Sequence, residues 1–187
     1  MKWKNVIFFL SLLIIFHVKA FADSSPEESE AMHEMDRCLS LLQEDPKNAR
    51  IHNDLGFAQY RLNHLEEARA SLSLAVKYDP GYAVAYNNLG VVLLNMKEYR
   101  KAEEAFAIAI GIAPNYVKAA YNRAVSLYGQ GRYIDAFQAY RRAKRIDREY
   151  VRNRFEASNA KEVIERTVEQ ESPGLDPRMV RRMLDAE

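Results

Sequence analysis

Cysteine is almost absent from this sequence. Cys38 is the sole copy in 187 residues, so no internal disulfide can form and stability must come from packing. Glycine and proline are scarce, with 7 and 6 copies. A turn-rich β architecture needs more of both, which favours helices. Neither sign of charge dominates: 27 Lys and Arg against 26 Asp and Glu leave +1. That balance excludes general nucleic-acid binding, which needs a strong basic excess. Nucleophile motifs, a glycine-rich phosphate loop and paired carboxylates are missing. The histidines beyond residue 22 are His33, His52 and His64. His33 and Cys38 do not share a helical face well, His52 holds a packing position and His64 a turn, so no zinc site is expected. The reading is of a chain that is not an enzyme and takes no metal or cofactor.

What is present is ordinary for a soluble chain, 48% hydrophobic and 28% charged, with length enough for one domain and a core. The long apolar run is at the start. Lys2 and Lys4 precede Val6 to Phe16, and Ala20-Phe21-Ala22 follows. This order of basic, apolar and small-x-small residues is that of a secretory signal, with cleavage expected after Ala22. The alternative is an uncleaved membrane anchor. The run is shorter than the ~20 residues a spanning helix needs, and His17 and Lys19 interrupt its end. Cleavage removes Lys2, Lys4 and Lys19 and takes the formal charge from +1 to −2. The expected location is exported and bacterial, in the periplasm, with no membrane span after cleavage.

The remaining chain is periodic. Pro46, Pro80 and Pro114 are 34 residues apart, and Gly56, Gly90 and Ala124 keep the same spacing. So do Ala68, Ala102 and Ala136; Leu72, Phe106 and Tyr140; and Ala75, Ala109 and Ala143. A fixed period of this length marks a repeat architecture. Within one period, Tyr86, Leu89, Gly90 and Leu93 fall on one helical face. Asn95 to Glu98 is a polar break. Tyr99, Ala102, Phe106, Ala109 and Ile110 make a second stripe, which Pro114 ends. Gly90 in mid-helix costs ~1 kcal/mol relative to alanine. That cost is tolerable where a facing helix, with Ala102, Ala109 and Phe106, must approach closely.

These residues resemble the tetratricopeptide repeat, a 34-residue helix–turn–helix. Tyr86-Asn87-Asn88-Leu89-Gly90 and Glu66-Glu67-Ala68 are similar to its consensus. The resemblance covers three units, 49–82, 83–116 and 117–150. It implies an all-α, right-handed superhelical solenoid with N- and C-terminal capping helices. His52 and Ala120 depart from the pattern where a large aromatic is usual. Arg148 replaces the last proline, which allows the third unit to run on into the next helix. Pro26 to Glu44, in the segment 23–48, reads as the upstream cap, with Met32, Met35, Leu39 and Leu42 as its inner stripe. Downstream, in 151–187, Val151 to Gln170 reads as a polar capping helix with Phe155, Ala160, Val163, Ile164 and Val168 as its contact face. Asp176-Pro177 could start a short final helix.

In this family the first helices of the units line a concave groove that holds an extended peptide or a partner's helix. Carried over by position, the groove takes Arg50, Asn53, Phe57, Tyr60 and Arg61 from the first unit. The second gives Val84, Asn87, Asn88, Val91, Leu94 and Asn95. The third gives Lys118, Tyr121, Asn122, Val125 and Tyr128, and Arg152 and Phe155 extend the wall. Asn88 and Asn122 stand out, because an amide offers a peptide backbone both a donor and an acceptor without the desolvation cost of a charge. The alternative is that both bond their own helices or water. Lys118 and Asn88 fit the carboxylate clamp of some family members, whereas Phe57, Asn53 and Asn122 do not. The expected occupant has apolar or aromatic anchors.

Charge is uneven along the chain. Asp23, Glu27, Glu28, Glu30, Glu34 and Asp36 crowd one end of the mature sequence. Arg141, Arg142, Lys144, Arg145, Arg148, Arg152 and Arg154 crowd the third unit and its cap. Such runs are usually solvated faces, though opposite ends also permit head-to-tail self-association. The expected function is an exported adaptor binding a protein or peptide partner within an envelope assembly or secretion system. A self-assembling scaffold is the second reading.

Overall fold

The computed structural model describes residues 25–157, and the side chains of 25–154. The expected signal segment, the face from Ala160 to Val168 and the short final helix lie outside these residues. The described residues form eight helices and no strands. They divide into two compact units, 25–114 and 115–157.

The first unit opens with α1, Pro26–Glu44. Ser25 accepts from the Glu28 amide at 3.2 Å, and the Glu28 carboxylate accepts from the Ser25 amide at 3.0 Å. This reciprocal box satisfies two amides that a helix start leaves without partners. Then come α2 (Ala49–Arg61) and α3 (Leu65–Tyr78), followed by α4 (Ala83–Asn95) and α5 (Tyr99–Ile112). Asn48 caps α2 by accepting from the amides of Arg50 and Ile51, its β-region backbone being the usual cap conformation. The second unit holds α6 (Val117–Gly129), α7 (Tyr133–Ile146) and α8 (Arg148–Ala157).

The small residues act where the period places them. A Cβ built on Gly90 would stand 2.5 Å from the Phe106 ring, and one on Gly56 would stand 2.6 Å from Leu72 Cγ. Both partners are fully buried. Ala68, Leu72 and Val92 form a shared core with Tyr60, Leu65, Leu89 and Met96 against it, so α3 packs on both α2 and α4. His52 is buried at a packing position with its ring 5.4 Å from that of Tyr78. Its Nε2 donates to the Pro46 carbonyl at 2.9 Å.

Two features depart from the sequence reading. The inner stripe of α1 is rotated from the one expected. Ala31 and Cys38 are buried, with Met32, Met35 and Leu42 partly so, whereas Leu39 is 47% exposed. Small Ala31 and Cys38 let α1 approach α2, and Cys38 stands one period before Leu72. The second departure concerns Arg148. The third pair does not run on into the next helix. Asp147 takes an extended conformation, its N–H closing α7 on the Ala143 carbonyl. Its carboxylate accepts from the Tyr150 amide at 2.8 Å. A capping side chain thus does here what proline does elsewhere.

The turns inside the pairs repeat as well. Asn63, Lys97 and Gly131 all have positive φ, at 60°, 61° and 75°, and they are spaced by the same 34 residues. In each, the next amide reaches back to the preceding helix: His64 to Gln59, Glu98 to Leu93 and Arg132 to Leu127. The left-handed residue satisfies carbonyls that would otherwise be left at the helix end.

Candidate functional site

In the first unit the wall formed by α2 and α4 is joined by side-chain hydrogen bonds. Asn88 Nδ2 donates to Asn53 Oδ1 at 2.9 Å, Asn87 Nδ2 donates to Asn88 Oδ1 at 3.3 Å, and Asn53 Nδ2 donates to Asp54 at 3.1 Å. Four side chains thus form one chain of bonds across two helices. One turn-cluster further on, Asn95 Nδ2 donates to the Tyr60 hydroxyl at 3.3 Å and to its own helix at Val91 O. Arg61 is held by α1. Its Nη2 donates to Glu30 at 2.9 Å and to the Glu27 carbonyl at 3.2 Å.

These bonds correct several expectations. Asn53 and Asn87 are buried rather than lining an open surface. One Asn88 N–H is engaged by Asn53 of the neighbouring repeat rather than by its own helix. Arg61 is neutralised by Glu30. Among the apolar side chains of this wall Phe57 is 47% exposed and Val84 40%, with Val91 and Leu94 half-buried, while the exposed Asp54 and Arg61 are bonded to Asn53 and Glu30. Arg50 and Asn95 are exposed at its edges. The Phe57 and Tyr60 rings are 6.5 Å apart. Such a surface suits apolar side chains, with polar groups at its margin.

The second unit has its own arrangement. Tyr121 is buried, edge-on to Tyr150 at 6.3 Å, so it is a packing residue. Burial raises the Tyr150 hydroxyl above its ordinary range. Tyr128 packs its ring on Tyr133 at 5.3 Å. Lys118 and Val125 are exposed, Asn122 is half-buried, and Arg152 is exposed. Phe155 falls outside the described side chains.

A tetratricopeptide repeat family model matches residues 53–117 and again 87–151. These spans cover more than half of the chain and contain the helix pairs described above. The chain belongs to the tetratricopeptide repeat family. Among solved structures, a crystal structure of MamA is 24% identical, covers 63% of this chain and 69% of that one, and has a TM-score of 0.59. A structure of MamA MSR-1 is 21% identical over 65% of this chain and 70% of that one, at a TM-score of 0.57. A structure of MamA AMB-1 is 24% identical over 61% and 62%, at 0.55. At these identities the likeness establishes the fold. No curated protein matches. A tetratricopeptide repeat fold of this kind supports a protein-interaction scaffold.

Among the described residues no group of His, Cys, Asp and Glu is placed to hold a metal ion, and no helix is long and apolar enough to cross a membrane. Cys38 is 1% exposed. Burial, with Glu34 and Asp54 nearby, pushes its thiol up to about 11. A second set of charges links α3 to the start of α5. Glu66, Arg69, Glu98 and Lys101 form a linked ion-pair network. Lys101, and Arg69 after it, hold the Glu98 carboxyl below its usual range. Periodicity does not reveal this network, because its members come from separate helices.

Proposed function

We propose that this chain is an exported tetratricopeptide repeat adaptor. It holds an apolar-anchored peptide or helix of a partner protein against the wall of first helices, within an envelope assembly or secretion system. The observation that carries this reading is the partition of that wall. Its amides and Arg61 each have a partner within the chain, while Phe57 and Val84 are exposed. A partner reading this surface gains by burying aliphatic or aromatic side chains. An exposed carboxylate finds Arg61 already paired. Export rests on the order of charges and apolar residues in 1–22. Binding in place of catalysis is supported by the repeat fold, whose units present surface.

The self-assembling scaffold has less support. Glu28 is used in its own helix cap, Glu30 by Arg61 and Glu34 by Arg37, so much of the acidic end is engaged within its own unit.

The test is capture from envelope extract by the full chain, beside Phe57→Ser/Val84→Ser and beside Ile108→Ser/Ile112→Ser on α5. Ile108 and Ile112 are also exposed and control for lost apolar surface. A protein retained by the parent and the α5 variant but lost from the wall variant supports the reading. Loss from both variants, or from neither, removes the wall from consideration.

A further inference from the structure

A second surface lies in the unit 115–157. Residues 141–154 hold seven basic residues and two acidic ones. Ala136 and Ala143 are the buried side of α7. At about 100° per residue, Ile134, Gln138, Arg141 and Arg145 share the opposite face, and all four are exposed. Arg142 flanks them, and Arg148 and Arg152 on the adjoining α8 are exposed as well. The acids nearby have other uses. Asp135 is paired with Arg132 at 2.6 Å, and Asp147 caps α8, leaving Glu149 as an exposed anion among them. No ion pair among the described residues engages Arg141, Arg142, Arg145, Arg148 or Arg152. Arg141 lies 5.9 Å from the Phe137 ring centroid, a contact that leaves its N–H groups for an anion.

We propose that this face of α7 and α8 docks on an anionic phospholipid bilayer. Six of the seven basic residues are arginine, whose planar fork matches phosphate oxygens two at a time. An acidic protein segment would offer similar charge, but Ile134 favours the bilayer. It is 76% exposed, the most open of the large hydrophobic side chains among the described residues, and it lies in line with Arg141 and Arg145. An aliphatic group beside cations matches a surface with phosphates outside and acyl carbon beneath. The stripe from Ile134 to Arg145 runs along a convex helix face for roughly 16 Å, a shape for a flat partner. This surface is independent of the wall of α2 and α4.

The experiment is vesicle sedimentation of the full chain at about 0.1 M salt, where the screening length is ~10 Å. Vesicles of neutral phosphatidylcholine are compared with vesicles holding roughly one third phosphatidylglycerol. At about a factor of five for each arginine near an anionic surface, Arg141→Gln/Arg145→Gln/Arg148→Gln should weaken anionic binding by about 100-fold. Binding to neutral vesicles, which reads any contribution of the apolar run 6–16, should not change. Lys47→Gln/Arg50→Gln/Lys77→Gln removes equal charge from exposed positions elsewhere and should leave anionic binding within about threefold. Ile134→Ser should weaken it by several-fold. The proposal is overturned if the parent shows no preference for anionic vesicles, or if the control variant loses as much. It is also overturned if polyglutamate, rather than vesicles, is bound in an arginine-dependent way, which would assign the surface to an acidic protein. All these positions are exposed, and a thermal melt of each variant confirms that it is folded.

Discussion

Substituting Gly90 by alanine tests the reason given for the small residues, because the same change at Gly111 should have the opposite sign. Both glycines lie in helices, where alanine gains up to ~1 kcal/mol over glycine. At Gly111 nothing stands within 4 Å of the added methyl, so the helix gain should appear, reduced by its place in the last turn, as ~0.5 kcal/mol of extra stability. At Gly90 the methyl would meet three Phe106 ring atoms, at 2.5, 2.8 and 2.8 Å. Normal carbon contacts are ~3.5–4.0 Å. Phe106 is fully buried, so the ring cannot swing into solvent, and overpacking of this kind costs ~1–3 kcal/mol. The net expectation is a loss of ~1–2 kcal/mol. Urea titration followed by circular dichroism measures both variants, with hydrogen exchange of α4 and α5 amides to localise the change. Phe106→Leu completes a cycle. In the double variant the methyl occupies space the ring has vacated, so its loss should fall short of the sum of the single losses by ~1 kcal/mol or more. A stabilised Gly90→Ala, or strict additivity with Phe106→Leu, would refute close helix approach as the reason for this glycine.

The other expectations can be checked with the same preparations. Lys97→Gly should stabilise the chain by up to ~1 kcal/mol, because it relieves a left-handed residue, and Gly131→Ala should destabilise it by a similar amount; urea midpoints decide both. Asn53→Ala leaves the Asn88 donor without its acceptor and should cost ~1–2 kcal/mol, with a cycle against Asn88→Ala showing ~0.5–1.5 kcal/mol of coupling. Cys38, its thiol pushed up to about 11 from 9.0, should react with iodoacetamide at pH 8 roughly 100-fold more slowly than a free thiol, and burial slows it further. Unfolding in urea should restore an ordinary rate, and a fast native reaction would contradict the burial of α1. Asp147→Ala removes the cap of α8 and should increase exchange of the Tyr150 amide, with ~1 kcal/mol of local stability lost.

Much of the fold was legible because each unit solves the same local problem with the same residues. Apolar spacing defined the two helices of each pair, and the prolines at 46, 80 and 114 marked where the second helix stops. Glycine facing Leu72 or Phe106 showed where two helices must touch. The candidate wall was less legible. The family resemblance placed Asn53, Phe57, Asn87 and Asn88 on one wall, and Asn53 and Asn88 do meet. Yet Asn53 and Asn87 are buried and Phe57 is open: residues four apart share a helix face, so what covers each of them is set by the neighbouring helices and not by the period. The left-handed position was hidden for a related reason. Asn63, Lys97 and Gly131 share a backbone conformation but no side-chain chemistry.

The sequence by itself determined the helix pairs, their period and the positions of close approach. These depend on local propensity and on contacts between helices adjacent in the chain. Only the tertiary structure decided which face of α1 turns inward and which partners Asn88, Arg61 and Glu98 find. It also showed that Asp147 ends a helix where no proline stands. Those outcomes depend on distances between side chains far apart in sequence, and on the low cost of a surface side chain choosing one partner over another. A repeating pattern constrains such choices only weakly.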